Sequence, residues 1–144
     1  RHAPDEAVVF AGKGNNGGDG FVIARELSEA GVEVTVFLLA APEEYRGDAK
    51  LNLDILANLG IDARRATDGS GALTEDAVVL TGMADVVVDA VFGTGFAGAA
   101  EGPAAAAIGL MNEAPGLVVS VDIASGVVAS TGSVSGPRWR PTSP

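Results

Sequence analysis

The chain has no cysteine, one histidine and few aromatic side chains, and each shortage removes a class of function. Without cysteine there is no disulfide framework, no thiolate metal centre and no thiol nucleophile, a composition that fits a reducing, cytoplasmic compartment. The lone histidine, His2, stands near the first residue and away from every motif, so histidine acid–base catalysis is not expected. Aromatics are 5% of the residues against 47% hydrophobic, so the core is expected to be aliphatic, built from Val, Ile, Leu and Ala. Long apolar runs are missing: the most hydrophobic stretch, Val32 to Ala41, is about half a membrane span and contains Glu33. Positive charge is scarce as well. Nine Lys and Arg face nineteen Asp and Glu, and a net charge of −10 repels nucleic acid and anionic membranes. An anionic small molecule can still be held where backbone N–H groups at a helix N-terminus meet it locally. No signal segment is visible and the first residue is not Met, which is expected of a piece of a longer protein. Seven Arg against two Lys, with many Ala and Gly, fit a GC-rich bacterial source.

What is present is glycine, in short motifs rather than a repeat: 20 in 144 residues, a length that makes one domain with one core. Apolar periodicity supplies the rest. Ala7 to Ala11 is a buried strand, and Phe21, Val22, Ala24, Leu27 and Ala30 recur at helical spacing up to Gly31, a helix-ending glycine. Val32, Val34, Val36 and Leu38 predict a second strand. A second helix is expected to open at Pro42-Glu43 and to run an apolar face through Ala49, Leu51, Leu53, Ile55, Leu56 and Leu59 to Gly60. Ile61 to Arg65 is a weak third strand, and a polar turn over 67–72 leads to a short helix from Leu73 to Gly82. Ala84 to Val91 predicts a fourth strand buried on both faces. A helix with Pro103 in its first turn runs to about Asn112, and Leu117 to Val121 is a fifth strand. Strands alternating with helices imply an α/β, Rossmann-like, three-layer αβα domain on a mainly parallel sheet. The pattern fails after Val128, and residues 138–144 are expected to be an irregular tail.

Three loops follow predicted strands, and in an open parallel sheet that edge is where ligands bind. Gly12-Lys13-Gly14-Asn15-Asn16-Gly17-Gly18-Asp19-Gly20 matches the G-x-G-x-x-G pattern between a strand and a helix, where small residues let backbone approach phosphate. Two features depart from an ordinary NAD site. The second strand ends in Leu38-Leu39-Ala40, without the carboxylate that reads the ribose 2′-hydroxyl, and the loop carries two amides and an acid that a phosphate cradle does not need. In Val88-Asp89-Ala90-Val91-Phe92-Gly93-Thr94-Gly95-Phe96, Asp89 sits late in an apolar strand, where an ionised carboxylate needs a partner or a cation unless it merely caps a turn. In Ser120-Val121-Asp122-Ile123-Ala124-Ser125-Gly126, Asp122 ends a strand and Ser125 offers a hydroxyl, or both serve an Asx turn. Asn16, Asp89 and Ser125 offer only hard oxygen donors, which suit an alkali or alkaline-earth cation better than zinc or copper. With one full carboxylate among them, a monovalent ion fits. Met83 and Met111 read as core or helix residues, Glu43-Glu44 as aids to a helix start, and Trp139 carries no assigned role.

Together these three segments resemble the YjeF N-terminal domain, the NAD(P)H-hydrate epimerase family, over roughly residues 5–137, which frames 1–137 as that domain, shortened at both ends. The resemblance implies an isomerase that interconverts the R and S forms of hydrated NADH and NADPH (NADHX and NADPHX). A dehydratase, fused or separate, would complete the repair, and a homodimer is implied. It also implies that Asn15, Asn16, Gly17, Gly18, Asp19, Gly93, Thr94, Gly95, Phe96, Ala97, Gly98, Ala99 and Asp122 contact substrate. Asn16, Asp89 and Ser125 would hold a potassium ion, and Asp122 is the choice for the catalytic group. Ala124 stands where the family usually has Pro, and residues 138–144 depart from its continuation. Two other functions stay open on the residues alone: a nicotinamide-dependent oxidoreductase, against which the missing ribose acid counts, and a non-catalytic binding or scaffold module on the same fold.

Overall fold

A computed structural model describes residues 4–91 and 102–121, with the side chains of Asn15 and Asn16 outside that description. Strands β1 (Glu6–Ala11), β2 (Glu33–Leu38), β3 (Asp62–Arg65), β4 (Val86–Ala90) and β5 (Leu117–Ser120) alternate with helices α1 (Asn15–Glu29), α2 (Gly47–Asn58), α3 (Glu75–Met83) and α4 (Gly102–Asn112). The strands form one sheet in the order β3-β2-β1-β4-β5, and every pairing is parallel. The chain therefore starts in the middle, builds outward through β2 and β3, and returns to the other side of β1 for β4. The gap between the loops that leave β1 and β4 is the topological switch point of the sheet.

Strand alternation sends successive side chains to opposite faces, and two cores result. Val9, Ala11, Val36, Leu38, Val88 and Ala90 pack with Phe21 and Ala24 of α1 and with Ala49, Leu53 and Leu56 of α2. Val8, Phe10, Phe37, Val87 and Val118 pack on the other face with Ala77 of α3 and with Ala107 and Met111 of α4. The layers are thus α1 and α2, sheet, α3 and α4. The few aromatics are shared between the faces: Phe10 stacks on Phe37 with centroids 5.5 Å apart, and Phe21 tilts against Tyr45 at the same 5.5 Å.

The expected helices form, with boundary shifts that have local causes. Gly31 and Gly60 end α1 and α2 with φ of +95° and +78°, conformations that cost glycine little. The helix expected at Pro42 is instead a single 3₁₀ turn over Pro42–Glu44, and α2 starts only at Gly47. The break places Tyr45 in the core at 1% exposure, a position a continuous helix would not give it. Leu51 and Leu59, counted on the buried face of that helix, are instead exposed, as is Met83 at the end of α3, whereas Met111 is core. Thr74 caps α3 by accepting from the Ala77 N–H at 3.1 Å.

Tyr45 ties the 3₁₀ turn to the end of β1. Its hydroxyl donates at 2.6 Å to the Ala11 carbonyl, which also accepts the Leu39 N–H at 3.1 Å. Burial pushes the phenol from 10.0 up to about 12. Between those two values the unfolded chain has lost the proton and the folded chain keeps it, so stability falls as pH rises through that window. Tyr45→Phe is expected to lower stability near neutrality by about 1 kcal/mol, because Leu39 still satisfies the carbonyl. It should also remove about 2–3 kcal/mol of alkaline destabilisation accumulated between pH 10 and 12. Urea melts of both proteins at neutral and alkaline pH check the two effects, and parallel pH profiles would refute the second.

Candidate functional site at the carboxyl edge of the sheet

The loop from Gly12 to Gly14 leaves β1 at the switch point, and close approaches hold it there. The Gly12 N–H donates to the Ala90 carbonyl at 3.0 Å, binding the loop to the end of β4. A Cβ on Gly12 would stand 2.5 Å from the Val91 carbonyl oxygen, and one on Gly17 would collide with the Gly12 carbonyl oxygen. One turn on, a Cβ on Gly18 would press 3.3 Å from the Ala49 backbone of α2, and one on Gly20 would come within 2.7 Å of the Ala90 side chain. Two glycines thus fold the loop back on itself and on β4, and two let α1 lie close to α2 and to the sheet. The glycine density that suggested ligand contact is also a packing requirement.

The same geometry aims the start of α1 across the edge of the sheet. Gly14 is the N-cap and has no side chain to satisfy the first N–H groups, and the first turn holds no acidic residue. An uncapped helix start at a switch point carries partial positive charge and N–H donors toward an anion. Asp19 lies on α1 beside α2. With Gly18, Asp48, Ala49 and Asn52 it lines a cavity of about 380 Å³, and burial raises its carboxyl above the ordinary value.

Asp89 is 2% exposed, one residue before the end of β4. By strand alternation it shares the α3/α4 face with Val87, and its register neighbours are Phe10 and Ser120. Its carboxylate accepts the Val91 N–H at 3.0 Å and the Ser120 hydroxyl at 3.3 Å, so it shapes the turn that leaves β4 and binds the end of β5. Its carbonyl takes the Val121 N–H at 2.8 Å. The turn-capping role is therefore real. Asp85, at the other end of the strand, does a purely architectural job by accepting the Asp5 and Glu6 N–H groups at 2.9 and 3.1 Å.

Of the residues expected at the site, the structure brings the glycine loop, Asp89 and the end of β5 to one edge. Gly93, Thr94, Gly95, Phe96, Ala97, Gly98, Ala99, Asp122 and Ser125 lie outside the described residues, as do the side chains of Asn15 and Asn16. Three cationic residues that the motifs did not single out share this edge. Lys13 pairs with Glu44 at 2.9 Å. Arg46 is the N-cap of α2, and Arg65 ends β3 opposite Leu38. The signal for them in the sequence was only their place just after a strand or just before a helix. A cavity of about 900 Å³ runs along β2, β3 and α2 past Val34, Leu53 and Ile61 on the outer flank, away from the switch point. Among the described residues no His, Cys, Asp and Glu cluster fits a metal ion, and no helix is long and apolar enough to cross a membrane.

The sequence is similar throughout to known proteins. The model of the family described as YjeF-related protein N-terminus matches residues 1–143. The bifunctional NAD(P)H-hydrate repair enzyme Nnr of Moorella thermoacetica is 50% identical over 130 residues, 90% of this chain and 24% of that protein. The NAD(P)H-hydrate epimerase of Pirellula staleyi is 42% identical over 132 residues, 89% of this chain and 56% of that protein. The crystal structure of yeast ynu0 superimposes with a TM-score of 0.62 at 27% identity, covering 83% of this chain and 48% of that one. The chain thus spans about a quarter of the bifunctional relative and just over half of the epimerase. Matching relatives include archaeal as well as bacterial proteins, so they do not fix a bacterial source.

If the loop is held by close approach, Gly17→Ala should cost about 3 kcal/mol or more, since backbone rather than a flexible side chain must move. Gly14→Ser should stay within about 0.5 kcal/mol or gain, because no atom lies within 4 Å of its Cβ position and Ser is a good N-cap. Equal thermal melts for the two variants would refute the packing.

Proposed function

This chain belongs to the family of YjeF-related protein N-termini, and from that premise we propose that it is an isomerase interconverting the R and S forms of hydrated NADH and NADPH. The observation that supports it most is the uncapped start of α1, locked by Gly12 and Gly17 beside the buried carboxylate of Asp89 at the switch point. One relative is named an NAD(P)H-hydrate epimerase and another a bifunctional NAD(P)H-hydrate repair enzyme, and the similarity to each covers about nine-tenths of the chain. The substrate suits the edge. Its pyrophosphate is an anion that N–H donors can hold in an otherwise acidic protein, and its reduced, hydroxylated ring is uncharged.

Epimerisation at the hydroxyl-bearing ring carbon breaks and remakes one C–O bond, assisted by proton transfer and with no redox step. Protonation of the hydroxyl lets water leave, the ring nitrogen stabilises the resulting cation, and water adds to the opposite face while giving up a proton. A single carboxyl group can donate the first proton and accept the last, and as carboxylate it stabilises the cation between them. Asp122, two residues past the end of β5, is our choice for that group. Potassium fits the oxygen-only donors Asn16, Asp89 and Ser125. The hard oxygen donors and the buried position of Asp89 support such an ion, whose charge would help hold the loops of the site together. A dehydratase acting on the S form completes the repair, on the same polypeptide or a separate one, and the working unit is a homodimer.

Incubating the protein with epimeric NADPHX and following the R-to-S ratio by chromatography should show equilibration faster than the spontaneous reaction. Asp122→Asn should slow it by about 100-fold with an unchanged melting temperature. No acceleration by the parent protein would favour a scaffold module instead. Potassium chloride, compared with equimolar choline chloride, should raise the melting temperature by a few degrees, and Asp89→Asn should abolish that difference. An equal response in the variant would remove Asp89 from the ion site.

A further inference from the structure

In a doubly wound fold the nucleotide's adenosine ribose lies toward the end of β2. There a carboxylate reads a 2′-hydroxyl, or a cation accepts a 2′-phosphate. Here β2 ends in Leu38 and is followed by Leu39-Ala40, with no acid, while three cations arrive from three different elements. Lys13 stands in the glycine loop, two residues past β1. Arg46 stands at the N-cap of α2, and Arg65 closes β3 in register with Leu38. Lys13, Glu44 and Arg46 line a cavity of about 340 Å³, and Arg46 and Arg65 are exposed with no ion pair among the described residues. The start of α2 adds its own N–H donors, since Arg46 caps it with no side-chain hydrogen bond.

Glu44 is the acid in this group. Its carboxylate is held by Lys13 at 2.9 Å and by the Ala41 N–H at 3.3 Å. The Lys13 bond, the Ala41 bond and the Lys13 charge, then Arg65 more distantly, keep its carboxyl below the ordinary value. Glu43 lies beside it in the same 3₁₀ turn and is exposed. A phosphate monoester brings more negative charge than Glu44 and can draw Lys13 from it, while the planar guanidinium groups of Arg46 and Arg65 match phosphate geometry. In a chain with a net charge of −10 these three cations have no general electrostatic explanation, so their convergence at this one edge is informative.

We infer that Lys13, Arg46 and Arg65 form a subsite for the 2′-phosphate of the adenosine ribose, so that the chain acts preferentially on NADPHX over NADHX. The inference rests on the epimerase reading for its substrate, but the phosphate subsite can be tested apart from turnover. The first measurement is calorimetric binding of 2′,5′-ADP and of 5′-AMP to the full chain at low salt. 2′,5′-ADP should bind about tenfold more tightly, and Arg46→Gln with Arg65→Gln should erase that advantage. The second is epimerisation of both hydrates: the double variant should raise KM for NADPHX about tenfold with the loss confined to that substrate. Equal binding of the two nucleotides, an equal loss on both hydrates, or a parent preference for NADHX would overturn the subsite and point to Glu44 as an acceptor for a free 2′-hydroxyl. If neither hydrate is turned over faster than it epimerises alone, the epimerase reading fails and the nucleotide comparison still decides the subsite.

Discussion

The fold turns on the contact between the first loop and the end of β4. β1 lies in the middle of the sheet, and the chain visits both of its sides, β2 first and β4 much later. The two edges are joined at the top by the Gly12 N–H bond to Ala90 and by the absence of any Cβ where Gly12 meets Val91 and Gly17 meets Gly12. A methyl group at either position would push the loop off β4 and swing the start of α1 away from the switch point. Since α1 carries Phe21 and Ala24 into one core and abuts α2 through Gly18, the same shift would open that whole layer. The device that closes the packing is thus the one that aims the N–H groups at the crevice. This is why one short motif sets both the packing and the direction of those N–H groups.

Carboxylates show a similar economy. Two aspartates bracket β4 with unlike tasks: Asp85 secures the start of β1 through backbone N–H bonds, and Asp89 secures the exit from β4 and the end of β5. Asp89 does this from inside the protein, where an ionised group needs partners, whereas Asp85 is exposed. The difference sets them apart chemically. One is a buried carboxylate at the carboxyl edge of the sheet, and the other is an exposed one at the opposite edge. Around the same ligand edge, Lys13 and Glu44 join the glycine loop to the 3₁₀ turn, and Tyr45 fixes that turn to Ala11. These contacts give the rim of the crevice a defined shape.

Much of this was legible in the residues. Alternating Val and Leu, glycine stops at Gly31 and Gly60, and Pro103 in a first turn each have one local physical meaning, and the helices and strands formed where those signals stood. The exceptions come from long-range packing. The helix expected from Pro42 yields to a 3₁₀ turn because Tyr45 is needed in the core against Phe21. Leu51 and Leu59 face outward because α2 can turn only one stripe to the sheet, and Ala49, Leu53 and Leu56 occupy it.

The sequence by itself determined the α/β class, the placing of Gly12 to Gly20 between a strand and a helix, and the need of Asp89 for partners, because each follows from neighbours in the chain. The tertiary structure alone decided the strand order, and with it that the loop after β1 meets the end of β4. It also decided that glycines 18 and 20 serve helix packing, and that Lys13, Arg46 and Arg65 share one edge. The reason is distance along the chain. Residues as far apart as Gly12 and Val91 leave no periodic trace of their contact, nor do Lys13 and Arg65 of sharing an edge, and only the order in which strands enter the sheet brings them there.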